Sequence, residues 1–252
     1  MKRIDSVKNP KVKQWKKLHK KKEREIAKTF LIEGFHLVEE ALKVDGLVEE
    51  IIISENENIP ANWKIDNATW YIVSDDVLKA ISETETPQGV SAVCQFQSNN
   101  ESMLTKSSKV LMLDNVQDPG NVGTMIRTAE AAGIDTIVLG DGTADLYNGK
   151  VVRATQGAIF HVPIIRENLQ TWIEKCKEIG IPVYGTALEN GMPYTDVKPT
   201  TSFALLVGNE GQGVAKEYLS KTDKNLYIPI YGKSESLNVG IAAGILMYYL
   251  RT

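Results

Sequence analysis

The sequence predicts an α/β protein of two domains. Three observations carry that prediction. Short apolar runs rich in β-branched residues alternate with stretches whose apolar residues recur at helical spacing, the pattern of a sheet covered by helices. In the second half those runs are apolar at successive positions, as in parallel strands buried on both faces. Between the halves lies a polar stretch with little to bury, which reads as a linker. The domains are therefore placed at residues 1–97 and 110–252, with the linker at 98–109. A chain of 252 residues suits one large domain or two smaller ones.

In the first half, Phe30 to Ile32 read as a short strand. From Gly34, the spacing of Phe35, Val38, Ala41 and Leu42 predicts a helix. Val48 to Ile53 and Trp70 to Val73 are strands, and a helix over Asp75 to Ile81 is capped by Ser74. Gly89 to Phe96 alternates and closes this smaller unit. In the second half the strands are Val110 to Asp114, Thr136 to Gly140, Pro182 to Thr186, Phe203 to Gly208 and Leu226 to Ile230. Helices fall at Gly123 to Ala132, Val151 to Gly157, Leu169 to Ile179 and Val239 to Leu250.

Composition narrows the class of protein. The hydrophobic fraction is 42%, ample for a core and against wholesale disorder. Two cysteines, Cys94 and Cys176, make no disulfide framework. No apolar run is long enough to span a bilayer. The N-terminus has no secretory apolar stretch, so a soluble cytoplasmic protein is expected. The formal charge is only -3, yet it is unevenly spread. Residues 1–28 carry twelve Lys and Arg against three acids, and the remainder carries 17 against 29. A concentrated basic arm on an acidic protein suits a polyanion, whose counterions the lysines release. Trp15 and His19 lie four apart within it. The same residues also describe a solvated basic helix with Trp15 docked on the body.

Three loops follow buried strands in the second half, where open α/β sheets collect ligands. The first runs from Asp114 into the helix that carries Arg127. Asn121 there suits a helix N-cap. Arg127, among Met125, Ile126, Ala129 and Ala132, must snorkel or meet an anion. The second, Gly208-Asn-Glu-Gly-Gln-Gly213, permits close backbone approach, and Glu210 in it suits a cap of the next helix. The third runs from Ile228 to Gly244, with Ser236 or Asn238 as N-cap. The glycine spacing is neither a dinucleotide fingerprint nor a P-loop. The three histidines, His19, His36 and His161, show no metal spacing, so no metal is expected. No Gly-x-Ser-x-Gly elbow occurs, and the cysteines read as inert core residues.

Taken together, the loops resemble the SpoU (TrmH-like) branch of the SPOUT RNA methyltransferases. The family's Asn-x-Gly-x-x-x-Arg is Asn121 to Arg127, its Gly-x-Glu-x-x-Gly is Gly208 to Gly213, and its Ile-Pro-x-x-Gly-x-x-x-Ser-Leu-Asn-Val is Ile228 to Val239. All three occur in order. Gly240 departs from the serine common in the family. The first half resembles, more loosely, the family's ribosomal-protein-L30e-like α/β RNA-binding domain through Phe30 to Ala41 and Thr86 to Val90. The resemblance implies a C-terminal trefoil-knotted methyltransferase domain, S-adenosylmethionine as cofactor, a homodimer, and methyl transfer to a ribose 2′-hydroxyl. It places Thr186, Gly208, Ile228 and Leu237 at the cofactor. It places Arg127 at the reacting ribose, with Asn121, Glu210, Ser236 and Asn238 shaping that pocket. RNA as partner assigns Lys11, Lys13, Trp15, Lys20 and Arg24 to RNA binding.

The leading reading is a 2′-O-methyltransferase of ribosomal RNA, of the large subunit. The alternatives are a transfer-RNA 2′-O-methyltransferase and a non-catalytic RNA-binding assembly factor. The intact Asn121, Arg127, Glu210 and Asn238 speak against the last, since a binder needs none of them. A nonspecific coating protein would explain the arm but not the loops.

Overall fold

A computed structural model describes residues 1–63, 68–97 and 104–251. In chain order the first elements are β1 (Lys2–Ile4), α1 (Pro10–Lys17), α2 (Lys21–Ala27), β2 (Thr29–Glu33) and α3 (Phe35–Leu42). Then come β3 (Val48–Ser54), β4 (Thr69–Val73), α4 (Asp75–Ile81) and β5 (Val90–Gln95). The second half holds β6 (Lys109–Leu113), α5 (Pro119–Ala131), β7 (Thr136–Leu139), α6 (Gly149–Thr155), β8 (Ile164–Arg166) and α7 (Leu169–Glu178). It ends with β9 (Val183–Thr186), β10 (Met192–Pro193), β11 (Phe203–Val207), α8 (Lys216–Leu219), β12 (Lys224–Tyr227) and α9 (Val239–Leu250). Residues 98–103 of the expected linker lie outside the described residues.

Two compact units result, one of residues 1–98 and 145–160, the other of 99–144 and 161–252. The first has a mixed sheet in the order β1-β4-β3-β5-β2, in which β5 runs antiparallel to β3 and β2. The segment 145–160 completes this unit from the second half of the sequence. Its Tyr147 stacks on Phe96, with centroids 4.0 Å apart, and packs against Phe30. Nothing in its local pattern announces that destination.

The basic arm is folded into this unit. Val12, Trp15 and Leu18, three apart, turn one face of α1 into the core beside Ile52, Tyr71 and Val77. Asn9 caps α1 by accepting from the Lys11 N–H at 2.8 Å, and Pro10 opens it. Trp15 is 1% exposed, its indole N–H donates to Glu50 at 2.7 Å, and its ring meets Tyr71 edge-on. Lys11 pairs with the same Glu50. Arg24, 4% exposed, donates to the carbonyl of Leu18 and to Asp145. Trp15 and Arg24 are therefore core residues and cannot meet RNA directly, which corrects the expectation for both. Lys13 and Lys20 are exposed. The edge strand β1 was not expected, because three residues, two of them charged, show no pattern; it exists through pairing with β4. Ser74 stands at the start of α4, but its hydroxyl donates to the carbonyl of Asp5 and leaves the helix uncapped by a side chain.

The second unit has a seven-stranded, wholly parallel sheet in the order β10-β12-β9-β11-β6-β7-β8. Its central strands are buried throughout β11 and from Val110 onward in β6, as the continuous apolar runs predict. Val110 and Met112 face α7 through Trp172, Ile173 and Cys176. α9 packs against α5 and β11. Burial pushes the Cys176 thiol up to about 12 and raises Cys94 as well, so both are protonated at neutral pH. No helix among the described residues is long and apolar enough to cross a membrane.

Replacing Trp15 with alanine should cost about 3–5 kcal/mol of stability, and Arg24→Ala about 2 kcal/mol. Lys13→Ala and Lys20→Ala should stay within about 0.5 kcal/mol of the parent. Urea unfolding of the four variants checks this ordering, and a neutral Trp15→Ala would contradict the buried placement.

Candidate active site

Because every strand of the second sheet is parallel, the carboxyl ends of β6, β9, β11 and β12 lie along one edge. The three loops identified in the sequence all leave from that edge. They are tied together by side-chain hydrogen bonds rather than by packing alone.

Helix α5 begins at Pro119, four residues before the expected start. Its N-cap is Asp118, which accepts from the Asn121 N–H at 2.9 Å, so Asn121 is not the cap. The Asp-Pro pair carried that signal in the sequence, an acceptor followed by proline at the first helical position. Asn121 is thereby free to act with its side chain. Its amide nitrogen donates to Glu210 at 2.9 Å, and its oxygen accepts from the Asn238 amide at 2.9 Å. Asn238 is the N-cap of α9, accepting from the N–H groups of Gly240 and Ile241. Glu210 does not cap α8, whose N-cap is Ala215. Instead it accepts from the N–H groups of Asp118 at 3.0 Å and Gln117 at 3.2 Å.

Burial pushes the Glu210 carboxyl up. The Asn121 amide and the N–H groups of Glu210, Asp118 and Gln117 outweigh that, and hold it below the ordinary value. It is ionised at neutral pH, and both of its oxygens are engaged.

The second loop is held from beneath. Asn209 and Gly213 exchange backbone hydrogen bonds, and the Asn209 oxygen accepts from Gly211 and Gln212. The Asn209 amide donates to the carbonyl of Asn115, a residue in the left-handed region at φ 53°. Asp114, raised by burial, accepts from the Ala215 N–H at 2.8 Å. Asn115, Asp118 and Asn209 carry this geometry and were not singled out in the sequence. A Cβ on Gly208 would lie 2.1 Å from the Gly213 carbonyl carbon, so only glycine fits there.

The remaining candidates sit around this frame. Thr186, at the end of β9, donates its hydroxyl to the Leu206 carbonyl at 3.2 Å. Ile228 is half-buried just past β12, and Leu237 is 38% exposed. Ser236 is exposed and is not part of the hydrogen-bonded tie. Arg127 is exposed on α5, about 9 Å along the helix from Asn121. Gly240 and Gly244 of α9 face Thr124 and Thr128 of α5, where a Cβ would come to 3.5 and 3.4 Å. Close approach of the two helices sets α9 beside the helix that carries Arg127.

Residues 108–248 match the SpoU rRNA Methylase family, and residues 9–92 match an MRM3-like substrate binding domain. The chain belongs to the SpoU rRNA methylase family and is an S-adenosylmethionine-dependent RNA ribose 2′-O-methyltransferase. Among its relatives is the 23S rRNA (guanosine(2553)-2′-O)-methyltransferase RlmP of Bacillus subtilis, 55% identical over 251 residues and covering 100% of both chains. An AdoMet-bound rRNA methyltransferase from Sinorhizobium meliloti superposes with a TM-score of 0.90 at 30% identity, over 99% of this chain and 97% of that one. A TrmH/SpoU tRNA modifying enzyme of A. aeolicus gives a TM-score of 0.51 at 28% identity, over 58% of this chain and 75% of its own.

The residues present suit the cofactor. Backbone groups of Ile228 and Ile230 lie past the end of β12 and are not spent on its ladder. Gly208 opens the turn after β11, and Ile228 and Leu237 are apolar side chains left partly uncovered near it in the fold.

Glu210 has a lower pKa folded than unfolded. Its contribution to stability is therefore complete above the unfolded value of about 4.3 and is lost as pH falls through the folded one. Thermal unfolding of the parent and of Glu210→Gln should differ at neutral pH and converge in acid. A gap that persists in strong acid would show that Glu210 does not act through its charge.

Proposed function

We propose that this protein methylates the ribose 2′-hydroxyl of a guanosine in 23S ribosomal RNA. The observation that carries the proposal is the 55% identity with RlmP along the whole of both chains. The tRNA-modifying relative leaves a large part of this chain without a counterpart, which favours ribosomal RNA. The strand order accommodates the trefoil knot, since β12 lies outside β9 while α9 returns to α5 and β11.

When bound, S-adenosylmethionine supplies an electrophilic methyl group on a sulfonium. The turns at Thr186, Gly208, Ile228 and Leu237 would hold it, largely through backbone groups, with the Thr186 hydroxyl proton already donated to the Leu206 carbonyl. A ribose hydroxyl is a weak nucleophile, so the protein must favour negative charge on its oxygen. Arg127 does this. A guanidinium is a poor base, but Arg127 is exposed and hydrogen-bonds no described residue, so it is free to orient the ribose-phosphate and stabilise the developing charge. Asn121, Glu210 and Asn238 are positioning residues, since their polar atoms are engaged with one another and with helix starts. Ser236 is free to reach the RNA. Lys13 and Lys20 give the first unit phosphate contacts, and Lys11 serves beside Glu50.

The active form is a homodimer. α9 leaves Ile241 and Tyr248, seven apart on one face, 55% and 49% exposed, on the helix that packs against the one bearing Arg127. Sedimentation should give twice the chain mass, and Ile241→Arg with Tyr248→Arg should halve it; a parent of single-chain mass excludes the dimer.

Labelled methyl transfer to RNA from a strain lacking the gene tests the activity itself. Label should enter 23S ribosomal RNA, at a linkage resistant to alkali. Arg127→Ala should lower kcat about a hundredfold or more while leaving S-adenosylmethionine affinity intact. Label confined to transfer RNA would overturn the proposal.

A further inference from the structure

The loop between β12 and α9 roofs the edge of the sheet on which the site is built. It leaves the carboxyl end of β12, which lies outside β9. It ends at Asn238, which touches Asn121 on the helix that follows β6. Between β12 and β6 stand β9 and β11, three strand spacings or about 14 Å in all. Residues 228–238 must therefore cross above the ends of β9 and β11, over the turns at Thr186 and Gly208.

Within that roof every residue from 231 to 238 is exposed. Tyr231 is 96% exposed, the most exposed large hydrophobic side chain among the described residues. It lies three residues past Ile228, within about 11 Å of it along the chain. The adjoining Gly232 faces open space, with no atom within 4 Å of where a Cβ would stand. The ring contributes nothing to the core. Yet the loop is fixed at both ends, by the sheet at Tyr227 and by the α9 cap at Asn238. A flat, uncovered aromatic ring on a doubly anchored loop is suited to stacking on an unpaired base.

We propose that Tyr231 is a substrate-positioning contact that stacks on an unstacked base of the RNA next to the ribose being methylated. The inference rests on the reading of this chain as an RNA 2′-O-methyltransferase and adds to it a recognition residue. Stacking tolerates any base, so Tyr231 supplies affinity and placement, not sequence readout. Lys233, exposed two residues on, lies where it can meet the neighbouring phosphate.

The test uses the full chain with an unmodified 23S ribosomal RNA transcript, and reads RNA Kd, KM for RNA, kcat and S-adenosylmethionine Kd. Tyr231→Ala should raise RNA Kd and KM about tenfold or more and leave S-adenosylmethionine Kd unchanged. Tyr231→Phe and Tyr231→Trp should restore binding, whereas Tyr231→Leu should not. Unchanged RNA affinity in Tyr231→Ala, or equal rescue by leucine, would overturn the stacking role. Loss of the dimer in Tyr231→Ala would also overturn it, by assigning the ring to an interface between copies. If the parent binds the transcript but transfers no methyl, the functional reading fails, and the RNA Kd values of the variants still decide the role of Tyr231.

Discussion

The carboxylate of Glu210 is the interaction on which the site depends. It accepts from two backbone N–H groups ahead of α5 and from the Asn121 amide, and Asn121 passes the connection to the cap of α9. Three loops distant in sequence thus share one hydrogen-bonded chain. Glu210 and Asn238 also satisfy backbone N–H groups at the starts of α5 and α9. The negative charge sits at the N-terminal end of α5, where the helix dipole favours it. A carboxylate so engaged on both oxygens is a brace between the loops.

The parallel sheet is what allows such a brace. Parallel strands bring all their carboxyl ends to one edge, so every connection starts over the same ground. The outward position of β12 then forces the last loop back across its neighbours to reach α5. That crossing carries Tyr231 over the turns that follow β9 and β11. Gly208 shows how little space remains beneath, since its neighbours are backbone atoms that cannot rotate away.

The N-terminal segment carries a separate lesson about charge. Its twelve basic residues do not behave as one set. Arg24 is buried against Asp145 and a carbonyl, and Lys11 is drawn to Glu50 beneath Trp15. The exposed lysines are those whose positions on α1 and near α2 turn away from the Val12, Trp15 and Leu18 stripe. The helical period sorts anchors from solvent-facing lysines, as it sorts core from surface in any amphipathic helix.

The sequence by itself determined the alternation of elements, because apolar periodicity is a local property that buried strands and amphipathic helices must show. It also picked out Asn121, Arg127, Glu210 and Asn238 as candidates for the site, because they stand in motifs of fixed spacing. Tertiary structure decided which of these residues touch. Asn121 reads locally as a cap, and only the approach of Glu210 and Asn238 shows what its side chain holds. Trp15 reads locally as an aromatic among lysines, and only the presence of Glu50 and Tyr71 across the sheet makes it core. The return of residues 145–160 to the first unit is likewise invisible locally, since Tyr147 finds Phe30 and Phe96 only once both are folded. Hydrogen bonds and ring contacts between distant segments leave no periodic trace in the chain, so they become legible only when the strand order is known.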